Sequence, residues 1–294
     1  MLGSIEVSVL GLGTGRLASL GAGNSSREIA RLLDTASELG ITFIDTADTY
    51  GSSAAERILG DLLRSRPGRF HVATKGGLAV ADLPGPLRPL NQFAKKGLQK
   101  AGRVDNFAPA VIRKRLEASL RRLRTDAVDV YYLHLPPLQA VRDEQLIATM
   151  GDALKSGKIR QFGISSDDPA VLRVAVELAE CTVVQTHVSP FAGGGGFEET
   201  RTEMVAAGMS VVANHVLAGA DGPPSPVQQA IARRASEVGL SQRGVLIRHA
   251  AAQPGVAVVL VGTSNPAHLR ENASTCMTPV EADDVLKVGV RRYR

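Results

Sequence analysis

Apolar residues fall along this chain in two alternating rhythms. Short β-rich runs, VSVLGL, ITFID, FHVATK, VDVYYLH, IRQFGIS, TVVQT, SVVAN and VAVVLVG, are separated by longer stretches in which apolar positions recur every three or four residues. In SSREIARLLDTASELG, residues 25–40, Ser25 and Glu28 have capping-box spacing and Gly40 supplies a stop. AAERILGDLLRSR, APAVIRKRLEASLRRL, DEQLIATMGDALKSG, DPAVLRVAVELAE, FEETRTEMVAAG and NPAHLRENAST repeat the helical rhythm. Strand followed by helix, eight times over, predicts an α/β fold: a (β/α)8 TIM barrel over residues 1–294 as a single domain, its parallel strands buried on both faces. An open doubly wound sheet is the competing architecture. It would need a dinucleotide fingerprint in GLGTGRLAS, where Arg16 occupies the third glycine position read from Gly11, and where LASLGAGN replaces a helix read from Gly13. A turn after the first barrel strand explains these glycines better.

Composition narrows the picture without changing it. The longest apolar runs fall short of the roughly 18 residues that suggest a membrane span, and MLGSIEVSVLGLG lacks the basic start of a signal peptide, so a cytoplasmic protein without a membrane partner is expected. Cys181 and Cys276 lack metal-ligand spacing, so no metal is predicted and Cys181 reads as a buried thiol. Net charge is +5, and the basic cluster IRKRLEASLRRLR (112–124) invites a nucleic-acid reading. Its periodicity argues otherwise: Ile112, Leu116, Leu120 and Leu123 form one helical stripe, leaving most of the arginines on a solvated face with no interleaved aromatics.

In a (β/α)8 barrel the chemistry gathers at the C-terminal ends of the strands. The polar residues there are Asp45 with Tyr50 just beyond, Lys75, His134, Ser165 and Ser166, Gln185, Asn214 and His215, and Thr263 and Ser264. Each has a bland explanation alone: His134 as a hydrogen-bonded core residue, Lys75 as a cap for a carboxylate. An Asp, a Tyr, a Lys and a His on three consecutive strands are harder to dismiss together. A phenol ionises near pH 10 in water, about three units too high for efficient proton transfer at neutrality, and a neighbouring ammonium lowers that value. Lys75 would supply the ammonium, Asp45 would hold it in place, and a neutral His134 would orient a carbonyl oxygen by donating a hydrogen bond. Nothing in the set supplies an electron pair, so hydride from a bound nicotinamide completes the scheme.

These residues carry a resemblance. FIDTADTYG, ATKGG, IRKRLEASLRRLRTDAVDVYYLH, FGISS and VGTSNPAHLREN are similar to the aldo-keto reductase superfamily nearly from end to end. The resemblance implies a catalytic tetrad of Asp45, Tyr50, Lys75 and His134, with Tyr50 as general acid, and a nicotinamide cofactor lying across the barrel mouth without a Rossmann domain. It puts Ser165, Ser166 and Gln185 at the carboxamide and Glu271 and Asn272 at the adenine. The chain departs from the family in three places. Ser166 stands where Asn is usual; Asn214 and His215 follow strand seven where an aromatic ring commonly stacks on the nicotinamide; and Gly262 and His268 replace the Lys and Arg that often grip the 2′-phosphate. Arg270, with Thr263 and Ser264, remains to bind that phosphate, which favours NADPH with NADH as the alternative.

The expected activity is reversible reduction of a small-molecule carbonyl or sugar. Residues 76–107 are expected to cover the mouth, and glycines 193–196 to hinge a lid or to join two elements. A cofactor-binding, redox-sensing regulatory subunit on the same barrel is the second reading. A barrel hydrolase or lyase is the third, disfavoured because Asp45 and Asp48 are too close in sequence to flank a substrate. No particular oligomeric state is predicted.

Overall fold

In the computed structural model, which describes residues 1–15, 17, 25–80, 105–191, 197–222 and 225–277, eight parallel strands close into a barrel in sequence order. They are β1 (Leu10–Gly13), β2 (Phe43–Asp45), β3 (His71–Gly76), β4 (Val128–His134), β5 (Ile159–Ser165), β6 (Cys181–His187), β7 (Ser210–Asn214) and β8 (Val256–Val261). All eight predicted runs are therefore strands, with β1 and β2 starting later than their apolar runs. Glycines 193–196 and residues 81–104 of the expected mouth cover lie outside the described residues.

The seven predicted helices form as α1 (Ser26–Glu38), α2 (Ala54–Leu63), α3 (Pro109–Leu123), α5 (Glu144–Lys155), α6 (Pro169–Glu177), α7 (Phe197–Ala206) and α10 (Pro266–Met277), and the Ser25/Glu28 capping box is present. Among the described residues three further helices lie outside the predicted set: the short α4 (Leu138–Val141), α8 (Pro226–Val238) and α9 (Gln242–Ala251). In α9 the consecutive Val245, Leu246 and Ile247 are all buried, so its apolar residues make a broad face rather than a stripe.

Strand periodicity divides the core into two layers. Phe43, Val130, Tyr132, Val183, Val212 and Val258 point into the barrel, and the N-terminal Leu2 plugs its lower end, fully buried in the same cluster. Alternate residues, including Ile44, Tyr131, Leu133 and Val184, pack outward against the helices. Helices α2 and α3 approach so closely that a Cβ on Gly60 would lie 2.2 Å from the Arg122 carbonyl oxygen. That contact brings Glu56, one turn away on α2, against α3.

Candidate active site

The inward register of β2, β3, β5 and β6 gathers Asp45, Lys75, Ser165 and Gln185 at the upper end of the barrel, beside Tyr50 from the loop after β2. Lys75 Nζ donates to Asp45 Oδ2 at 2.6 Å, to the Thr46 carbonyl at 2.9 Å and to the Tyr50 hydroxyl at 3.3 Å. Gln185 Nε2 donates to the other carboxylate oxygen, Asp45 Oδ1, at 2.8 Å, and Ser165 Oγ donates to Gln185 Oε1 at 3.0 Å. Lys75 is fully buried, yet three acceptors satisfy its three protons, the condition under which a buried ammonium is tolerable. Burial penalises its charge, but the Asp45 carboxylate, followed by Tyr50, outweighs that penalty and holds the lysine above its ordinary value. The half-buried Tyr50 and His134 stand edge to face, ring centroids 6.3 Å apart. The structure thus brings together all four residues of the expected tetrad, with Ser165 and Gln185 beside them. The Thr46 carbonyl, which completes the lysine's coordination, has no signature in sequence.

Asp48, the second carboxylate of the same stretch, faces the other way. It is fully buried between the barrel wall and α3, where its Oδ2 accepts from Arg115 Nη1 at 2.8 Å. Its Oδ1 has no hydrogen-bond partner among the described residues. Burial outweighs the Arg115 charge and pushes the carboxyl up to about 7. Nearby, Glu56 is satisfied at both oxygens, by Thr74 Oγ1 and by Arg122 Nε, each at 2.6 Å. Arg115 and Arg122 are therefore exceptions to the solvated face expected of α3, with side chains only 16% and 13% exposed. After Tyr50 the backbone runs left-handed through Gly51, Ser52 and Ser53, at φ +57°, +53° and +66°. For the two serines this costs roughly 1 kcal/mol or more each, the kind of strain that concentrates at functional sites.

A cleft of about 350 Å³ opens above the quartet, lined by Asp45 and Tyr50 on one side and by Asn214, His215, Leu217 and Gly262 on the other. A larger cleft, of about 410 Å³, lies at the opposite end of the barrel and holds none of these residues. Three of its arginines are already engaged, Arg66 with Asp34, Arg124 with Asp61 and Arg160 with Asp129. His215 adopts φ +50° and meets His187 edge to face at 5.6 Å. Burial, and to a smaller extent His215, keep the His187 imidazole below its ordinary value against the pull of Asp167.

The expected cofactor residues divide into two groups. Gln185 and Ser165 are committed to Asp45 and to each other, while Ser166 Oγ accepts from the Asp168 amide at the start of α6. Asn214 and Gly262 line the cleft. Thr263 is buried and its Oγ1 accepts from the Asn265 amide at 3.0 Å, whereas Ser264, His268, Arg270 and Glu271 are exposed and Asn272 is half-buried along the rim. Arg270 is paired with Glu38 of α1 at 2.9 Å, a contact across 232 positions that the sequence does not announce.

The sequence model of the Aldo/keto reductase family matches residues 9–288. The uncharacterized oxidoreductase YqkF of Bacillus subtilis is 29% identical over 289 residues, spanning 91% of this chain and 87% of that protein. The NADH-specific methylglyoxal reductase of Escherichia coli is 31% identical over 192 residues, 63% of this chain and 56% of that enzyme. Among solved structures, the holo form of an aldo-keto reductase from Bacillus halodurans superposes with a TM-score of 0.77 at 25% identity, covering 97% of this chain and 93% of that one. Among the described residues no cluster of His, Cys, Asp and Glu could hold a metal, and no helix is long and apolar enough to cross a membrane.

Proposed function

The chain belongs to the aldo/keto reductase family and is an oxidoreductase. From that premise we propose that it reduces a small carbonyl compound, an aldehyde, ketone or sugar, with NADPH as the preferred cofactor and Tyr50 as the proton donor. The observation that carries this reading is the Lys75 ammonium, bonded at once to Asp45 and to the Tyr50 hydroxyl beneath an open cleft. The Tyr50 oxygen accepts from Lys75, so its own O–H remains available to a ligand, and the ammonium stabilises negative charge left on the phenol oxygen after transfer. Asp45 keeps the lysine charged and in place. His134, its ring centroid 6.3 Å from that of Tyr50, donates a second hydrogen bond to the same carbonyl oxygen in this reading.

The cleft suits a flat ring with a small substrate beside it: its volume falls in the usual ligand range of about 300–1,000 Å³, and its walls mix apolar and polar groups. A nicotinamide bound there supplies the hydride. Asn214 and Gly262 are the wall residues nearest to hand, with Ser165, Ser166 and Gln185 below and Thr263, Ser264, His268, Arg270, Glu271 and Asn272 along the rim toward the adenosine. The Arg270–Glu38 pair is more than half exposed on both sides, hence weak, and a phosphate dianion outcompetes a carboxylate for the guanidinium. NADH is the second reading, favoured by Glu38, which neutralises the one arginine proposed for the 2′-phosphate.

Calorimetric titration with NADPH and NADH, alongside turnover of probe aldehydes by the wild type and Tyr50→Phe, tests the proposal. Tyr50→Phe should bind cofactor normally and lose at least about 10³-fold in kcat. Wild-type-like turnover in that variant would remove Tyr50 from the role. Cofactor binding without turnover of any probe would turn the reading toward a redox-sensing regulatory subunit.

A further inference from the structure

Tyr50 owes its place to a loop that is buried and strained, and something outside the loop must hold it. Ser52 and Ser53 are 2% and 0% exposed in left-handed backbone. The bonds within the loop, Ser53 Oγ to the Asp48 carbonyl and the Arg57 guanidinium to the Ser52 carbonyl, shape it but do not anchor it to the barrel. Asp48 does so twice: its amide donates to the Lys75 carbonyl at 3.2 Å, and its carboxylate takes Arg115 Nη1 at 2.8 Å. The same Nη1 donates to the Leu78 carbonyl at 2.6 Å, just past the end of β3. One guanidinium from α3 therefore ties the loop that carries Tyr50 to the chain that carries Lys75.

We propose that the Asp48–Arg115 pair is a positioning device for the proton donor, holding the left-handed loop so that the Tyr50 hydroxyl stays within reach of Lys75. The proposal rests on the reading of Tyr50 as proton donor. A purely structural role is the alternative, and the fold supplies an internal control for it. Glu56–Arg122 joins α2 to the same helix a short distance away, equally buried, and the two Glu56 oxygens accept from Thr74 and Arg122 rather than from residues 46–53. Removing a partner from either pair disturbs the wall, but only one removal should disturb the chemistry.

The pair should also leave a pH signature. Asp48 faces Arg115 and Arg122 from α3, Glu56 from α2 and the buried Tyr131 hydroxyl from β4, and its carboxyl sits at about 7. Below that pH the ion pair becomes a neutral contact and the clamp weakens.

The test measures NADPH-dependent reduction of 4-nitrobenzaldehyde from about pH 5.5 to 8.5 in the wild type, Asp48→Asn, Arg115→Ala, Arg115→Lys, Arg122→Met and Tyr50→Phe, with NADPH affinity by calorimetry. Arg115→Ala should lose roughly 30-fold in kcat, with KM and the NADPH Kd within about twofold, and Arg115→Lys should lose less. Arg122→Met should lower thermal stability and leave kcat within about twofold. The wild type should lose kcat below about pH 7, whereas Asp48→Asn should sit at the low level throughout, without that limb. An unimpaired Arg115→Ala, an Arg122→Met equally impaired in kcat, or an unchanged acid limb in Asp48→Asn each overturns the proposal. Should Arg115→Ala not fold, Arg115→Lys and Asp48→Asn decide the matter. Undiminished turnover in Tyr50→Phe, or none in the wild type, sinks the parent reading and this one with it; a dead Tyr50→Phe beside an unimpaired Arg115→Ala sinks this proposal alone.

Discussion

Asp45 and Asp48 lie three positions apart in FIDTADTYG, yet they end on opposite faces of the barrel wall in environments that treat charge differently. Asp45 turns into the barrel, where both carboxylate oxygens receive a donor, Lys75 on one and Gln185 on the other. Asp48 turns outward under α3, where Arg115 serves one oxygen and nothing among the described residues serves the other. Both are buried and both have a cationic partner within 2.8 Å, so neither depth nor distance separates them. What separates them is how many oxygens are satisfied and what else the cation touches. A buried carboxylate with an empty lone pair pays for desolvation that one ion pair does not offset, and its proton affinity rises. On the inner face the ammonium also touches a phenol, which converts a structural ion pair into a site able to move a proton.

The sharpest way to break the comparison is to remove the inner cation. Lys75→Met leaves Asp45 buried with only Gln185 and deprives Tyr50 of its charged neighbour, so kcat should fall about 10³-fold while NADPH still binds. A smaller loss than that of Arg115→Ala would mean that the outer pair, not the inner one, governs proton transfer. A milder change makes the inner carboxylate resemble the outer. Gln185→Leu strips Asp45 Oδ1 of its donor and Ser165 of its acceptor, and about a tenfold loss in kcat is expected. Full activity in that variant would show that satisfying the second oxygen does not matter to the site.

These two faces were not equally legible in the sequence. Alternation along a strand has a fixed period, so Asp45, Lys75, His134, Ser165 and Gln185 could be assigned to one mouth from strand ends alone. The outer network depends on partners that no local pattern announces: Arg115 meets Asp48 across 67 positions and Arg122 meets Glu56 across 66. On a helical stripe both arginines sit beside the apolar face, where a long side chain can reach either water or a buried acceptor, and periodicity does not choose between them. The same limit hid Arg270–Glu38. It also hid α9, since a broadly apolar helix lacks the three-to-four-residue stripe that betrays an amphipathic one, whereas α8 carries such a stripe in Val227, Ile231, Ala235 and Val238 and was legible in the sequence.

The outer carboxylate gives the subtlest handle on the comparison, because its effect on stability must change with pH in a definite direction. An aspartate ionises near 3.9 in the unfolded chain, while Asp48 in the folded protein does so at about 7. Between these values the folded state holds a proton that the unfolded state has released, so this group's contribution to stability falls as pH rises through the window and is flat above it. Asp48→Asn keeps an oxygen to accept from Arg115 and has no proton to lose. Its melting temperature relative to the wild type should therefore climb between pH 5 and 7.5, by roughly 2–4 °C for each kcal/mol of the penalty removed, and then level off. Calorimetric scans of both proteins across that range read the difference directly. A gap that stays constant with pH would mean that Asp48 is ionised throughout, and that Arg115 alone suffices to hold a half-satisfied carboxylate charged beneath α3.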